Sequence, residues 1–347
     1  FYGSHNLTAV HVANGVETIG ECAFFDCQNV NSYALPDSLT AIERYAFSQN
    51  YSLSNVSVPD NVVQISNYAF ALDYNLHYID FTENSKLPRI SFAAFAYTGI
   101  YSFRVPSNVS TIARYAFKGC DSLQSVTFAA NSKLDIIPAY MLVGANNVAH
   151  ITFENGSSLT SISAHGFEGM RNLVSVDFGD AKLTNIDNYA FRYCESLQTV
   201  NIPDGVKKIG RFAFYGAKSL TRLDLPTSVE SIGRFAFYFA ENLNVYFKAD
   251  VLPSSLQENW DYGIAGYYVG VTDVVESGDW VYAELTAGGV SLIKYKGSDL
   301  SLDLTALDLG GAIRQIGGYA FNYSKVTSVV LPATLESIQR YAFANSK

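Results

Sequence analysis

Ile42-Glu43-Arg44-Tyr45-Ala46-Phe47 recurs along the chain as Ile65–Phe70, Ile112–Phe117, Ile186–Phe191, Ile209–Phe214, Ile232–Phe237, Ile316–Phe321 and Ile338–Phe343. Looser copies end at Phe24, Phe95, Leu142 and Phe167, and the final residues of successive copies mostly lie 22 to 25 apart. A fixed period in this range specifies a solenoid, because one such unit cannot bury its apolar face alone and must stack on its neighbours. The spacings of 25 fall where turns are longer, at Asn84-Ser85-Lys86, Asn131-Ser132-Lys133 and Gly156-Ser157-Ser158. Indels confined to turns leave the buried positions in register.

Each unit runs on into Leu-x-x-Val-x-Leu, often followed by a proline such as Pro36, Pro59, Pro106, Pro203, Pro226 or Pro332. Leu123, Val126 and Phe128, or Leu197, Val200 and Ile202, alternate as a short strand. Successive strands are expected to pair in parallel at roughly 4.8 Å, as one continuous sheet on an open face. The hexapeptides then form an irregular or short-strand opposite wall, with Phe stacked on Phe inside. This pattern, with a Cys or small residue after Ile-x-x-Tyr-Ala-Phe, resembles the BspA-like (Treponema-type) leucine-rich repeat family. The resemblance covers everything outside roughly 248–298. It implies a right-handed leucine-rich-repeat superhelix and secreted or surface proteins of host-associated microbes, often adhesins. It carries over no catalytic residues.

The chain's 347 residues would ordinarily suggest two or three domains, but a solenoid is one elongated unit whatever its length. Repeats run through 1–243. After Leu243 the register changes, and the next Ala-Phe waits until Phe321, 84 residues after Phe237. Within 244–310, Trp280–Leu285 and Val290–Tyr295 flank Thr286-Ala287-Gly288-Gly289, which predicts a hairpin. This stretch is expected to be a modified part of the same solenoid, with repeats resuming over 311–347. The chain opens as the tail of another copy and closes inside one, so it is expected to belong to a longer protein.

Three of the four cysteines, Cys27, Cys120 and Cys194, occupy one repeat position, three residues after the Phe. Such positions are separated by at least ~14 Å along the stack, beyond disulfide reach. Buried free thiols are expected, with Cys22 near Cys27 as the one conceivable pair. Net charge is −9, and Lys and Arg are scattered, so no basic stripe for nucleic acid exists. The row Arg44, Arg114, Arg211, Arg234 and Arg340 reads as a solvated outer wall. No apolar run spans a membrane.

No zinc-type His or Cys spacing, nucleophile elbow or phosphate loop is present in the sequence, so no enzyme, metal or cofactor is expected. Asp177 and Asp224 fall two strands apart on the open face, about 10 Å at the backbone. That spacing alone does not exclude hydrolysis, but a flat sheet lacks a water-excluding pocket. The candidate ligand surface combines Asp177, Asn201, Asp224, Tyr246 and Asp303 with Trp260, Tyr267 and Tyr268 of the insertion. Those three rings either stand exposed as anchors or bury the insertion against the stack.

The leading expectation is a monomeric, extracellular recognition or adhesion module that binds a host matrix or surface protein. One alternative is a carbohydrate- or envelope-binding module, since rings and amides suit sugars. Another is a rigid spacer for some other domain.

Overall fold

Each hexapeptide starts with a two-residue strand whose Ile points inward and whose preceding residue points away from the core. Ile136–Ile137, Ser161–Ile162, Asn185–Ile186, Lys208–Ile209, Ser231–Ile232 and Ser255–Leu256 pair in parallel as a six-stranded ladder. The computed structural model describes residues 1–346, which form parallel strands and turns without any helix among the described residues.

The open face is built from the Leu-x-x-Val-x-Leu segments. Ser125–Phe128 pairs with Ser102–Val105 on one side and His150–Phe153 on the other, with Val126 opposite Phe103 and Ile151. The expected single sheet is realised in lengths: five strands run unbroken from Ser102–Val105 to Thr199–Val200. The ladder lapses before Arg222–Leu225, where Thr199–Val200 is only two residues long and Pro226 has no N–H to donate back to it, as Lys248 N does to Leu225 O one turn later. Between the walls, Phe24, Phe47, Phe70, Phe95 and Phe117 stack ring on ring at 5.2–5.6 Å. Burying each such ring contributes about 1.5–3 kcal/mol.

The return of the chain depends on left-handed residues that are not glycine. The fourth hexapeptide position has positive φ in every copy, for example Tyr45 (54°), Tyr115 (64°), His165 (64°) and Phe212 (56°). Left-handed backbone costs an L-residue about 1–2 kcal/mol, so something must offset it. Two things do. Tyr45 stacks on Tyr68 at 4.9 Å, and the ladder continues through Tyr140, His165, Tyr189 and Phe212 at 4.9–5.4 Å. In addition, alternate N–H groups reach the next copy: Tyr45, Phe47 and Gln49 donate to the carbonyls of Asn67, Ala69 and Ala71. The Ala of the motif sits under this contact, fully buried.

The position three residues after the Phe donates a hydrogen bond to the Phe carbonyl of the preceding copy. Cys27 Sγ reaches Phe1 O, Asn50 Nδ2 reaches Phe24 O, Cys120 Sγ reaches Phe95 O and Cys194 Sγ reaches Phe167 O. All four cysteines are free. Asp73 occupies this row and is fully buried. Its Oδ1 accepts from Asn50 N at 2.8 Å, while Oδ2 has no partner. Burial lifts this carboxyl well above its ordinary 3.8. Folded Asp73 therefore keeps its proton where the unfolded chain has lost it. Its stabilising contribution is complete below about pH 4 and declines as pH rises through the folded pKa. Asp73→Asn supplies an amide donor, as Asn50 does, and should gain about 1–2 kcal/mol at pH 7. It should gain almost nothing at pH 4. Thermal unfolding at the two pH values tests this, and an equal shift at both would refute it.

At residue 237 the array meets the insertion. Trp260 takes the place of the next Phe, 6.3 Å from Phe237 and 5.8 Å from Phe247, edge-on to both. Ala240–Phe247 pairs with Arg222–Leu225 so that Leu223 faces Val245 and Asp224 faces Tyr246. The strand that runs one residue out of step in sequence is thus in step in space. Ile264–Val269 adds the last strand. Val245 and Phe247 point into the first core, while Tyr246 and Tyr268 point out and stack at 5.2 Å. Over these two rings lie Val271, Ala283 and Ile293, from the antiparallel strands Val271–Ser277, Trp280–Leu285 and Val290–Tyr295.

Val290–Tyr295 then pairs in parallel with Ile313–Ile316, and that strand with Ser337–Ile338. A second array begins here, with its own core around Leu292, Leu304, Ile316 and Phe321. Its sheet covers the open face of the first array at its last two turns. The buried apolar residues accordingly fall into separate clusters on the two sides of this joint.

Candidate recognition surfaces

The insertion rings singled out from the sequence are in the interior. Tyr246 is 5% exposed, Trp260 8% and Tyr268 0%, and Tyr267 is half-buried with its ring 5.3 Å from that of Trp260. Strand alternation alone places Tyr246 and Tyr268 on the outer face. The overlying sheet removes them from solvent, so these rings cannot anchor a ligand. Burial raises the Tyr246 phenol to about 12 and raises that of Tyr268 further.

The acids have local partners. Asp177 Oδ1 accepts from Gly179 N at 2.9 Å, closing the turn after its strand. Asp303 Oδ1 accepts from Thr305 N at 2.9 Å and from the Thr305 hydroxyl, which holds its carboxyl below the ordinary range. Asp224 receives both guanidinium bonds of Arg222, at 2.7 and 2.8 Å, and that guanidinium lies 4.8 Å over the Tyr246 ring. Asn201 is exposed. Asp303 sits on the two-stranded sheet of the second array, apart from the sheets bearing Asp177 and Asp224. The structure does not gather these residues into one site.

A different patch stands out on the first array. Following only the second outward residue of each strand passes over the first, and that is where Tyr78 stands, 55% exposed. Tyr101 joins it edge-on at 5.8 Å and stacks flat on His77 at 4.6 Å. Tyr74 is also exposed, in the preceding turn, and stacks on Tyr51 at 5.8 Å. Beside Tyr101 a shallow depression of about 650 Å³ is bordered by Asp121, Gln124, Ser125, Asn147 and His150. Along the rest of this face the outward side chains alternate between small polar residues, such as Ser32, Asn55, Ser57, Ser102, Thr127, Thr152, Ser175 and Thr199, and larger or charged ones, Asp80, Arg104, His150, Asp177 and Arg222.

On the opposite wall the arginine row is not simply solvated. Arg44 lies 4.8 Å over Tyr45, Arg234 4.8 Å over Phe235, and Arg211 5.5 Å over both Tyr189 and Phe212. These guanidiniums brace the left-handed ring ladder, each by about 0.5–1 kcal/mol at an exposed position. Where Ala71, Ala93 and Ala96 replace larger residues, a groove of about 660 Å³ opens beside Tyr68, Tyr97 and Tyr115.

Several titrating groups are engaged in local contacts of the stack. His165 sits in the ring ladder, with Nδ1 2.5 Å from Glu168, and Glu168 also accepts from Arg192. Burial pushes the Cys120 thiol up to about 11 and that of Cys194 higher, so neither is poised as a thiolate. Among the described residues no group of three His, Cys, Asp or Glu is placed to hold a metal ion, and no helix is long and apolar enough to cross a membrane.

No match is found among curated proteins. Among solved structures, the chain is similar to a leucine-rich repeat protein from Bacteroides ovatus ATCC 8483, at 24% identity and a TM-score of 0.47, over 74% of this chain and 76% of that one. It is also similar to the pneumococcal vaccine antigen PcpA, at 20% identity and a TM-score of 0.45, over 73% and 66% of the two chains. A leucine rich cell surface protein from Faecalibacterium prausnitzii A2-165 is similar at 19% identity and a TM-score of 0.37, over 76% and 84%. The family described as BspA type leucine rich repeat region matches in six copies, over residues 1–124, 88–181, 160–255 and 299–347. The match takes in both arrays and the hexapeptides that build them, and on that ground the chain belongs to the BspA type leucine rich repeat family.

Proposed function

We propose that the chain is a non-enzymatic recognition module, displayed outside the cell, that binds a host surface or matrix protein across the open face of its first array. The composition of that face carries the reading: exposed Tyr78 and Tyr101 beside Ser, Thr and Asn, with single charges such as Asp80 and Arg104 between them. Tyrosine supplies contact area at low conformational cost and small polar residues supply adaptable hydrogen bonds, the combination used by protein-binding paratopes. Asp177 and Asn201 lie further along the same face and would form its polar rim. Extracellular display follows the family resemblance.

The test is binding of the purified chain to immobilised matrix and cell-surface proteins at physiological salt. Saturable binding to one of them is expected, with affinity falling about 30-fold in Tyr78→Ala/Tyr101→Ala, the effect of a central aromatic pair worth about 2 kcal/mol. Asp177→Ala/Asn201→Ala should cost less than about fivefold, as rim positions do. Silence across the panel, or full affinity in the tyrosine variant, would sink the proposal.

A further inference from the structure

Where the second array overhangs the first, the strand Ala240–Phe247 emerges beside a cleft of about 450 Å³. The first array contributes Glu241 and Asn244, and the second contributes Lys294, Tyr319, Asn322 and Asn345. Neither array forms this cleft alone. Its volume lies within the range of small-molecule sites, roughly 300–1,000 Å³. From these residues we infer that the cleft is a binding site for a neutral saccharide, separate from the tyrosine patch and independent of the reading given to it.

Three observations carry the inference. Asn244 Oδ1 is buried without a hydrogen-bond partner, so this amide is not committed to the fold. Asn345 Nδ2 donates to Asn322 Oδ1 at 3.0 Å, which orients the pair and leaves one donor nitrogen and one acceptor oxygen for a ligand. Sugar hydroxyls both donate and accept, and paired amides match them at both roles. At the lip of the cleft Tyr323 is 77% exposed, its ring available to the C–H face of a pyranose. The one carboxylate, Glu241, is matched by the one ammonium, Lys294, so the site favours neither an anionic nor a cationic ligand. Apolar lining is confined to Ala265 and Ile293, too little to seat the apolar side-chain anchors of a peptide.

Saturation-transfer NMR and calorimetry with lactose, maltotriose, mannotriose and chitobiose, each to ~10 mM, test the site. At least one probe should bind in the millimolar range or tighter, the affinity of a few hydrogen bonds and one stacked ring. Asn322→Ala/Tyr323→Ala should weaken that probe at least tenfold, with the circular dichroism spectrum and melting unchanged because both residues lie at the surface. Tyr78→Ala/Tyr101→Ala should leave the affinity untouched, which separates this site from the open-face proposal. Absence of binding by all four sugars overturns the inference, as does sugar binding that survives the cleft variant or is lost in the tyrosine-patch variant.

Discussion

Phe117→Ala should destabilise the first array by about 3–5 kcal/mol and divide its unfolding into two steps. Phe117 is fully buried, stacked on Phe95 at 5.6 Å and struck edge-on by Phe103 at 4.6 Å. It also ends the column that runs from Phe1 through Phe24, because the next copy places Leu142 at its Phe position. Deleting the ring leaves a cavity that two parallel walls, tied turn to turn by backbone bonds, cannot collapse to fill. In a stack whose units touch only their neighbours, such a loss falls on the two interfaces of one turn. Hydrogen exchange should therefore report lost protection around residues 95–142, while the column Phe191–Phe214–Phe237 stays protected. A single transition, moved as a whole with uniform loss of protection, would contradict nearest-neighbour coupling here.

Gly318→Ala should release the second array from the first, at a cost of about 3 kcal/mol, the upper end for overpacking. A Cβ on Gly318 would stand 1.9 Å from the carbonyl oxygen of Ala265, on the last strand of the first array. That contact is backbone, so no side chain can swing aside. Gln339 holds the same joint: its Oε1 accepts from Gly318 N at 3.1 Å and Tyr267 N at 3.3 Å, and its Nε2 donates to Tyr267 O. With the joint open, Tyr246 and Tyr268 lose their cover. The expected signs are a larger radius of gyration by solution scattering and fast exchange at 264–269. Unchanged dimensions together with unchanged exchange would mean that the joint tolerates the methyl group. The same variant should abolish the inter-array cleft.

The repeat made most of the fold legible. A buried Ile, an Ala-Phe pair and an alternating strand, returned every 22 to 25 residues, leave stacking as the only way to bury them. The spacing says nothing about backbone handedness at one position, however. Tyr45, Tyr115 and their equivalents look like outward aromatics on a solvated wall, and their positive φ goes against residue preference. Ring stacking and bonds to the next copy hold them there, and both are contacts between turns; the arginines that overlie the rings come mostly from the adjacent residue. Burial of Asp73 follows from its place in the cysteine row, but the missing partner of Oδ2 required coordinates.

What the sequence determined by itself was everything periodic, the solenoid with its inward and outward faces, together with the locally encoded hairpin of the insertion, and what happens once at long range was left to the tertiary structure. Local alternation assigns Tyr246 and Tyr268 to the outer face whether or not anything lies above them. The sheet Val271–Tyr295 that covers them returns from further along the chain, seated where Gly317 and Gly318 leave both of these hexapeptide positions without a side chain. Periodicity is a property of neighbours in a stack. Docking of one array on another depends on long-range contacts that occur once in the chain, and a repeat cannot encode them.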